Sequence, residues 1–264
     1  MTHARVAHIE TPGAVRVVGP DALTFLHSLV SQDLTTLAVS ARVPSLLLTP
    51  QGKLTASFGI TRVDEETLVL DCASEVAPGL ADALNRFCIR VRVEVVDATG
   101  QYVAVRVRGG DEPPVDHIVA VDAPLPAIDV PVVDDAEWEA LRIERGEPRQ
   151  PLDIDERTIA QEAFLDRDAV SFTKGCFLGQ ELVCRIDTRG HVNRYLRGVR
   201  SETLLEAGTE LQHEGATVGV VTSSAVHSDL GAVALAIVRR EVEPPAEVST
   251  PDGRLVNVVE LPMR

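Results

Sequence analysis

Ser171-Phe172-Thr173-Lys174-Gly175-Cys176-Phe177-Leu178-Gly179-Gln180-Glu181-Leu182-Val183-Cys184-Arg185-Ile186-Asp187-Thr188-Arg189 is the most informative stretch of the chain. One cysteine sits between two glycines, with a lysine two residues before it and a polar Gln180-Glu181 pair behind. Val170 and Phe172 read as the end of a short apolar strand. Leu178, Leu182 and Ile186 recur at steps of four, so a helix is expected from Leu178 to Ile186. Cys176 then lies just before a helix N-terminus, where backbone N–H groups, the helix dipole and Lys174 favour a thiolate. The alternative reading makes Cys176 a buried small hydrophobe.

Lysine usage sharpens the first reading. Only Lys53 and Lys174 occur, in Pro50-Gln51-Gly52-Lys53 and Thr173-Lys174-Gly175-Cys176, and arginine carries the rest of the positive charge. An ammonium is a compact point charge and a guanidinium a planar fork, so the two are not interchangeable at a shaped site.

At 264 residues the chain can bury a large core and hold more than one domain. No apolar run is long enough for a transmembrane helix. The first ten residues lack the apolar centre of a signal peptide, so a cytoplasmic setting is expected. The net charge of −15 disfavours binding to nucleic acid or anionic membranes. Arg185, Arg189, Arg194, Arg197 and Arg200, with His191, form a basic island. It reads either as a paired surface strand or as a site for carboxylates or phosphates. Cys72, Cys88, Cys176 and Cys184 show neither Cys-x-x-Cys nor zinc-finger spacing, and no stable metal site is expected. Cys72 reads as a strand end and Cys88 as the buried face of a helix. A reduced compartment fits.

Along the chain, a strand at Ala14 to Val18 leads to a helix with Ala22, Phe25, Leu26, Leu29 and Val30 on one face. Strands are expected at Arg42 to Thr49, Leu54 to Val63 and Thr67 to Asp71, then a helix capped by Ser74 with Val76, Leu80, Leu84, Phe87 and Cys88 buried. Strands at Ile89 to Val96 and Tyr102 to Arg108 complete one mostly antiparallel sheet with helices on one side, an α+β layer packing. Gly109 to Asp135 is a connection with short strands at His117 to Val121 and Ile128 to Val133. A helix starts at Asp135 and ends at Gly146 and Pro148. From Asn193 on, short strands at Leu196–Val199, Glu210–Gln212, Thr217–Ser223, Ala232–Val238 and Leu255–Leu261 suggest a small barrel. The expected division is residues 1–190 and 191–264.

Lys174-Gly175-Cys176-Phe177-Leu178-Gly179-Gln180-Glu181, with Arg185 and Arg189-Gly190 behind it, resembles the K-G-C-[FY]-x-G-Q-E signature of the YgfZ family. These folate-binding proteins are related to the glycine-cleavage T-protein and linked to iron–sulfur cluster assembly or repair. Gly19-Pro20-Asp21-Ala22 with Phe25-Leu26, the Pro50-Gln51-Gly52-Lys53 turn, Leu141 to Gly146, Asp153 to Glu156 and Glu162-Ala163 are similar to other family stretches. The resemblance implies two intertwined α+β subdomains and a C-terminal β-barrel around a folate pocket, with tetrahydrofolate as the ligand. It implies Cys176 as the functional thiol with Lys174 beside it at the pocket mouth. Glu162, Lys174, Gln180, Glu181 and Arg185 are the implied folate contacts. The implied partners are a reduced folate and iron–sulfur client enzymes or assembly proteins, with no nucleic acid and no membrane.

A pterin presents an amino-pyrimidinone edge with two neighbouring donors, and a carboxylate such as Glu162 accepts both. Without the resemblance, Glu162 reads as a solvated charge. The tail carboxylates of a folate suit the arginine island. Asp153 and Asp155 read as loop caps. One departure stands out. Aminomethyltransferases carry an aspartate pair after the glycine turn, whereas Lys53, Leu54, Thr55, Ala56 and Ser57 follow here. Without a carboxylate to handle the folate amine proton, an accessory folate-binding role is favoured. A folate-dependent methyl- or aminomethyltransferase and a non-catalytic folate-binding scaffold are the alternatives.

Overall fold

Two strands open the chain, β1 (Val6–Glu10) and β2 (Gly13–Val18), and they part at once into different sheets. The computed structural model describes residues 4–110 and 112–263. Met1, Thr2 and His3 of the stretch read for a signal peptide, Asp111 of the connection, and Arg264 lie outside it. β2 leads through α1 (Ala22–Leu29) to β3 (Arg42–Leu48), β4 (Leu54–Arg62), β5 (Thr67–Cys72), α2 (Ala77–Asn85) and β6 (Glu94–Asp97). These strands form one antiparallel sheet in the order β3-β4-β5-β2-β6. The helical spacing of α1 and α2 puts Phe25, Leu26, Leu80 and Leu84 against Val15, Val17, Ile60 and Leu70, and burying these side chains drives the layer packing.

β7 (Tyr102–Arg108) does not extend that sheet. It pairs instead with β1, from Val6 opposite Arg108 to Glu10 opposite Ala104, and with β8 (Val115–Ala120). Two sheets thus replace the one expected. The short β1, unread in the sequence, claims one edge of β7 and winds the N-terminus into the second layer. The expected strand at Ile89 to Val96 shrinks to β6 because Arg90 takes a left-handed φ of 58° and Ile89 is 72% exposed. Phe87 and Cys88 fall past the end of α2; Phe87 is exposed, while Cys88 is half-buried against the core that Leu80 and Leu84 join. Ser74 does not cap α2, which starts after Val76 with a proline in its first turn.

Buried charges join the two sheets. The Arg42 guanidinium of β3 forks onto Asp71 of β5 at 2.9 and 2.8 Å and reaches Asp116 of β8 at 2.7 Å. Arg106 and Arg108 of β7 also contact Asp116, at 3.4 and 2.7 Å. Burial pushes the Asp116 carboxyl up, but Arg42, Arg106 and Arg108 outweigh that and hold it at about 2. Gly59 of β4 makes room, since a β-carbon there would meet the Arg42 Nη2 at 2.0 Å.

Helix α3 (Asp135–Arg145) is capped by the Asp134 carboxylate, which accepts from the Glu137 N–H at 2.9 Å, and by Gly146 at φ 75°. The expected strand at Ile128 to Val133 is reduced to a single bridge between Val132 and Ala7. A 3-10 turn (Ala160–Ala163), α4 (Asp166–Ala169) and α5 (Gln180–Arg189) follow. No strand forms at Val170 to Phe172; Val170 is buried directly after α4, and the Ser171 N–H donates to the Ser31 carbonyl at 3.0 Å.

The remaining strands are β9 (Arg194–Ser201), β10 (Glu210–His213), β11 (Ala216–His227), β12 (Gly231–Arg239), β13 (Ala246–Ser249) and β14 (Leu255–Val259). They close a barrel in the order β10-β11-β12-β9-β14-β13 around Val199, Leu211, Val221, Ala236, Val256 and Val258. The four-residue β13, unread in the sequence, follows Pro244-Pro245. Asp153 fastens the barrel to α3. Its Oδ2 accepts from Arg142 at 2.7 Å and from the Arg149 N–H at 3.0 Å, and its Oδ1 from the Thr222 and Ser223 hydroxyls at 2.5 and 2.7 Å. Among the described residues, no helix is long and apolar enough to cross a membrane.

Candidate functional site

The Lys174-Gly175-Cys176-Phe177 loop is anchored by two inward residues that flank two outward ones. Lys174 and Phe177 are buried, while Gly175 and Cys176 are exposed. The Lys174 ammonium donates to the carbonyls of His27, Val30 and Gln32 at 2.6, 2.7 and 2.9 Å. These carbonyls end α1 and begin the segment behind it, where helical C=O groups lose their own partners. An ammonium has three donors, and all three are used. Lys174 therefore pins the loop to α1. Burial lowers the Lys174 pKa from its ordinary 10.5 to about 8, against a small opposing pull from Asp33. Lys53 plays a parallel part, donating to the Arg157 carbonyl at 2.7 Å.

Helix α5 starts at Gln180, so Cys176 lies four residues before its first turn. Gly179 takes φ 79° there, and a β-carbon on it would meet the Thr49 carbonyl oxygen at 2.5 Å and the Gly52 Cα at 3.1 Å. Gly52, at φ 71°, faces Leu182 of α5 in the same way. The Gln51-Gly52-Lys53 turn and the cysteine loop thus meet backbone to backbone, where only glycine fits. Gln180 is half-buried, while Glu181 and Arg185 are exposed on α5. Cys184 is half-buried and Cys72 buried at the end of β5, where burial first and then Asp71 push its thiol up to about 12. Among the described residues, no three His, Cys, Asp or Glu side chains converge as metal ligands do.

Glu162 stands on the 3-10 turn and is buried. Its Oε2 accepts from the Ile159 N–H at 3.0 Å. Arg194 of β9 donates from Nε to Oε1 at 3.0 Å and from Nη2 to Oε2 at 3.3 Å. The neighbouring Gln161 ties the turn to α5 by donating to the Val183 carbonyl at 3.0 Å. Arg194, one of five arginines in the basic island, is the partner that sequence reasoning left unassigned; a pairing across 32 residues leaves no local signal. Asp155 accepts from the Arg157 N–H at 2.9 Å and from the Thr158 hydroxyl at 3.2 Å, as a loop cap does.

At the start of β4, Gln150 takes the place of a strand neighbour. Its side-chain amide donates to the Thr55 carbonyl at 3.1 Å and accepts from the Ser57 N–H at 3.0 Å.

Two cavities bear on ligand binding. One, of about 410 Å³, opens between the loop Pro151 to Thr158 and barrel strands β11 and β12, with Arg194 and Arg239 in its wall. The other, of about 560 Å³, lies against Phe164, Tyr195 and Arg240. Neither is lined by Cys176, Lys174, Glu162, Gln180, Glu181 or Arg185. Glu162 is linked to the first cavity through Arg194, which separates the two. Cys176 opens onto solvent.

No protein-family model matches the chain. An uncharacterized protein of Haemophilus influenzae is 27% identical over 209 residues, 75% of each chain. The mitochondrial iron–sulfur cluster assembly factor IBA57 homolog of Mycosarcoma maydis is 26% identical over 223 residues. That match takes in 72% of this chain and 55% of the relative's length. In three dimensions the chain is similar to glycine cleavage system aminomethyltransferase T from Bartonella henselae, with a TM-score of 0.80 at 21% identity. The likeness covers 98% of this chain and 86% of that one. Taken with the sheet-plus-barrel architecture, the structural likeness means that the chain has the aminomethyltransferase T fold, and in sequence it is similar to an iron–sulfur cluster assembly factor homolog.

Proposed function

We propose that the protein binds a reduced folate and serves iron–sulfur cluster assembly or repair in the cytoplasm, with Cys176 as its working thiol. The observation that carries the folate half is the Arg194 fork on Glu162. A guanidinium and a pterin's amino-pyrimidinone edge are both flat groups with two neighbouring N–H donors, and the Glu162 carboxylate is already arranged for one. In the bound state the pterin edge takes the place of Arg194 on Glu162. A bound reduced folate supplies a one-carbon carrier. Residues 1–190 hold the folate, and residues 191–264 close the site from the barrel side.

The iron–sulfur half rests on the relationship to the cluster assembly factor homolog and on the exposure of Cys176. Buried Lys174 and Phe177 fix the backbone on either side of an exposed thiol, so the sulfur is presented to a partner at little cost in ordering. A stable cluster needs about four thiolates, so a single cysteine acts on a cluster that a partner carries. Beside this loop on α5, half-buried Gln180 and exposed Glu181 and Arg185 serve partner or folate contacts.

A second reading, aminomethyl transfer, draws on the likeness to aminomethyltransferase T. It needs a proton acceptor where Thr55 and Ser57 offer only hydroxyls. Calorimetric titration of the purified protein with tetrahydrofolate tests the folate half. Saturable one-to-one binding supports the reading, and no heat at any concentration up to the millimolar range sinks it.

A further inference from the structure

We infer that the hollow between α4 and the end of the barrel is a binding site for a small dianion, a molecule bearing two carboxylates or two phosphates. Its volume is about 560 Å³, and its basic side chains come from four separate segments: Arg167 on α4, His191 before β9, Arg197 on β9 and Arg240 after β12. Glu243 and Glu260 also border it. Three arginines against two glutamates leave a positive lining, in a chain whose net charge is −15.

Two of the guanidinium forks are unspent. Arg197 pairs with Glu260 at 2.9 Å. Arg167 makes no ion pair among the described residues, and Arg240 comes no nearer to a carboxylate than 3.8 Å, at Glu241. A fork of this kind binds a carboxylate or phosphate through two parallel N–H bonds, so two open forks call for two acidic groups.

Aromatic rings in the wall hold one open fork, that of Arg167, and the paired Arg197 beside it. The rings of Phe164 and Tyr195 stack with centroids 5.6 Å apart. The Arg167 guanidinium lies over Phe164 at 4.2 Å, and that of Arg197 over Tyr195 at 4.9 Å. Stacking occupies the face of a guanidinium and leaves its N–H edge for an anion. Phe164 holds its place at φ 57°, a left-handed conformation that a bulky residue keeps only where its surroundings enforce it.

The site does not depend on the folate reading, and its dianion has two candidate sources, the two-carboxylate tail of a folate or a free metabolite. Calorimetry with glutarate and with inorganic pyrophosphate at low ionic strength reads it directly. At least one probe is expected to bind, and Arg167→Gln and Arg240→Gln are each expected to weaken it by about tenfold or more. Both arginines are exposed, so these variants keep the fold, which their thermal midpoints check. Arg200→Gln, in the same basic island but outside the hollow, is expected to leave affinity within about twofold. No binding of either probe overturns the site, and so does an equal loss in the Arg200 variant, which would mean diffuse attraction. Tetrahydrofolate then assigns the source: competition with the probe, lost in Arg167→Gln, means the folate tail, and independent binding means a free dianion. If tetrahydrofolate does not bind at all, the folate reading falls and the probe titrations alone decide this site.

Discussion

Arg194 grips Glu162 with two donors, Nε on Oε1 at 3.0 Å and Nη2 on Oε2 at 3.3 Å. If a pterin replaces that fork, the two residues have opposite roles. Glu162→Gln removes one acceptor and the charge, and is expected to weaken tetrahydrofolate binding by about tenfold to a hundredfold. Arg194→Gln removes the competitor and is expected to leave binding equal or tighter. Calorimetry on both variants checks this. An Arg194 variant as weak as the Glu162 variant would make Arg194 a positioning residue and not a placeholder.

Lys174→Met leaves the carbonyls of His27, Val30 and Gln32 without their donor. A loss of about 2–4 kcal/mol is expected, at roughly 1 kcal/mol or somewhat more per buried group. The pH dependence has a definite sign. The folded pKa, about 8, lies below the ordinary 10.5. Between those values the unfolded chain keeps a proton that the folded chain has released, so the wild type gains on the variant as pH rises. Urea unfolding of both proteins at about pH 7 and about pH 10 measures the gap, which should widen.

Gly179→Ala drives a methyl group to within 2.5 Å of the Thr49 carbonyl oxygen at a φ of 79°. A cost of about 1–3 kcal/mol is expected. Gly175, in the same loop, has open space around its would-be β-carbon, and Gly175→Ala should cost no more than about 0.5 kcal/mol. Chemical denaturation of the two single variants distinguishes a packing requirement from general intolerance of the loop.

Asp116 joins the two sheets through Arg42, Arg106 and Arg108. With its pKa held at about 2 against an ordinary 3.8, its ionised form contributes stability above about pH 4 that fades as pH falls toward 2. The shift corresponds to about 2 kcal/mol. Asp116→Asn should therefore unfold well before the wild type at neutral pH and approach it at about pH 2–3. Parallel acid titrations followed by circular dichroism give the comparison.

The parts legible in the sequence are those with local periodicity. The apolar face of α1, the β3–β4 hairpin and most barrel strands follow from spacing and turn residues. β1 is hidden because its partner, β7, lies about a hundred residues on and nothing local marks the pairing. Arg90 breaks the strand expected around it through a backbone conformation that arginine does not advertise. At the site, the rarity of Lys174 singles it out, but its partners are backbone carbonyls, which carry no side-chain signal. The Arg194–Glu162 pair and the Gln150 clamp on β4 are long-range for the same reason.

The most direct test is the activity of iron–sulfur enzymes in cells whose only copy of this protein carries Cys176→Ala. Cys176 is exposed and bears no packing role, so the variant should fold and still bind tetrahydrofolate. The expected result is a clear fall in iron–sulfur enzyme activity at unchanged protein level and folate affinity. Activity equal to that of cells with the unaltered protein would contradict a working thiol at this position.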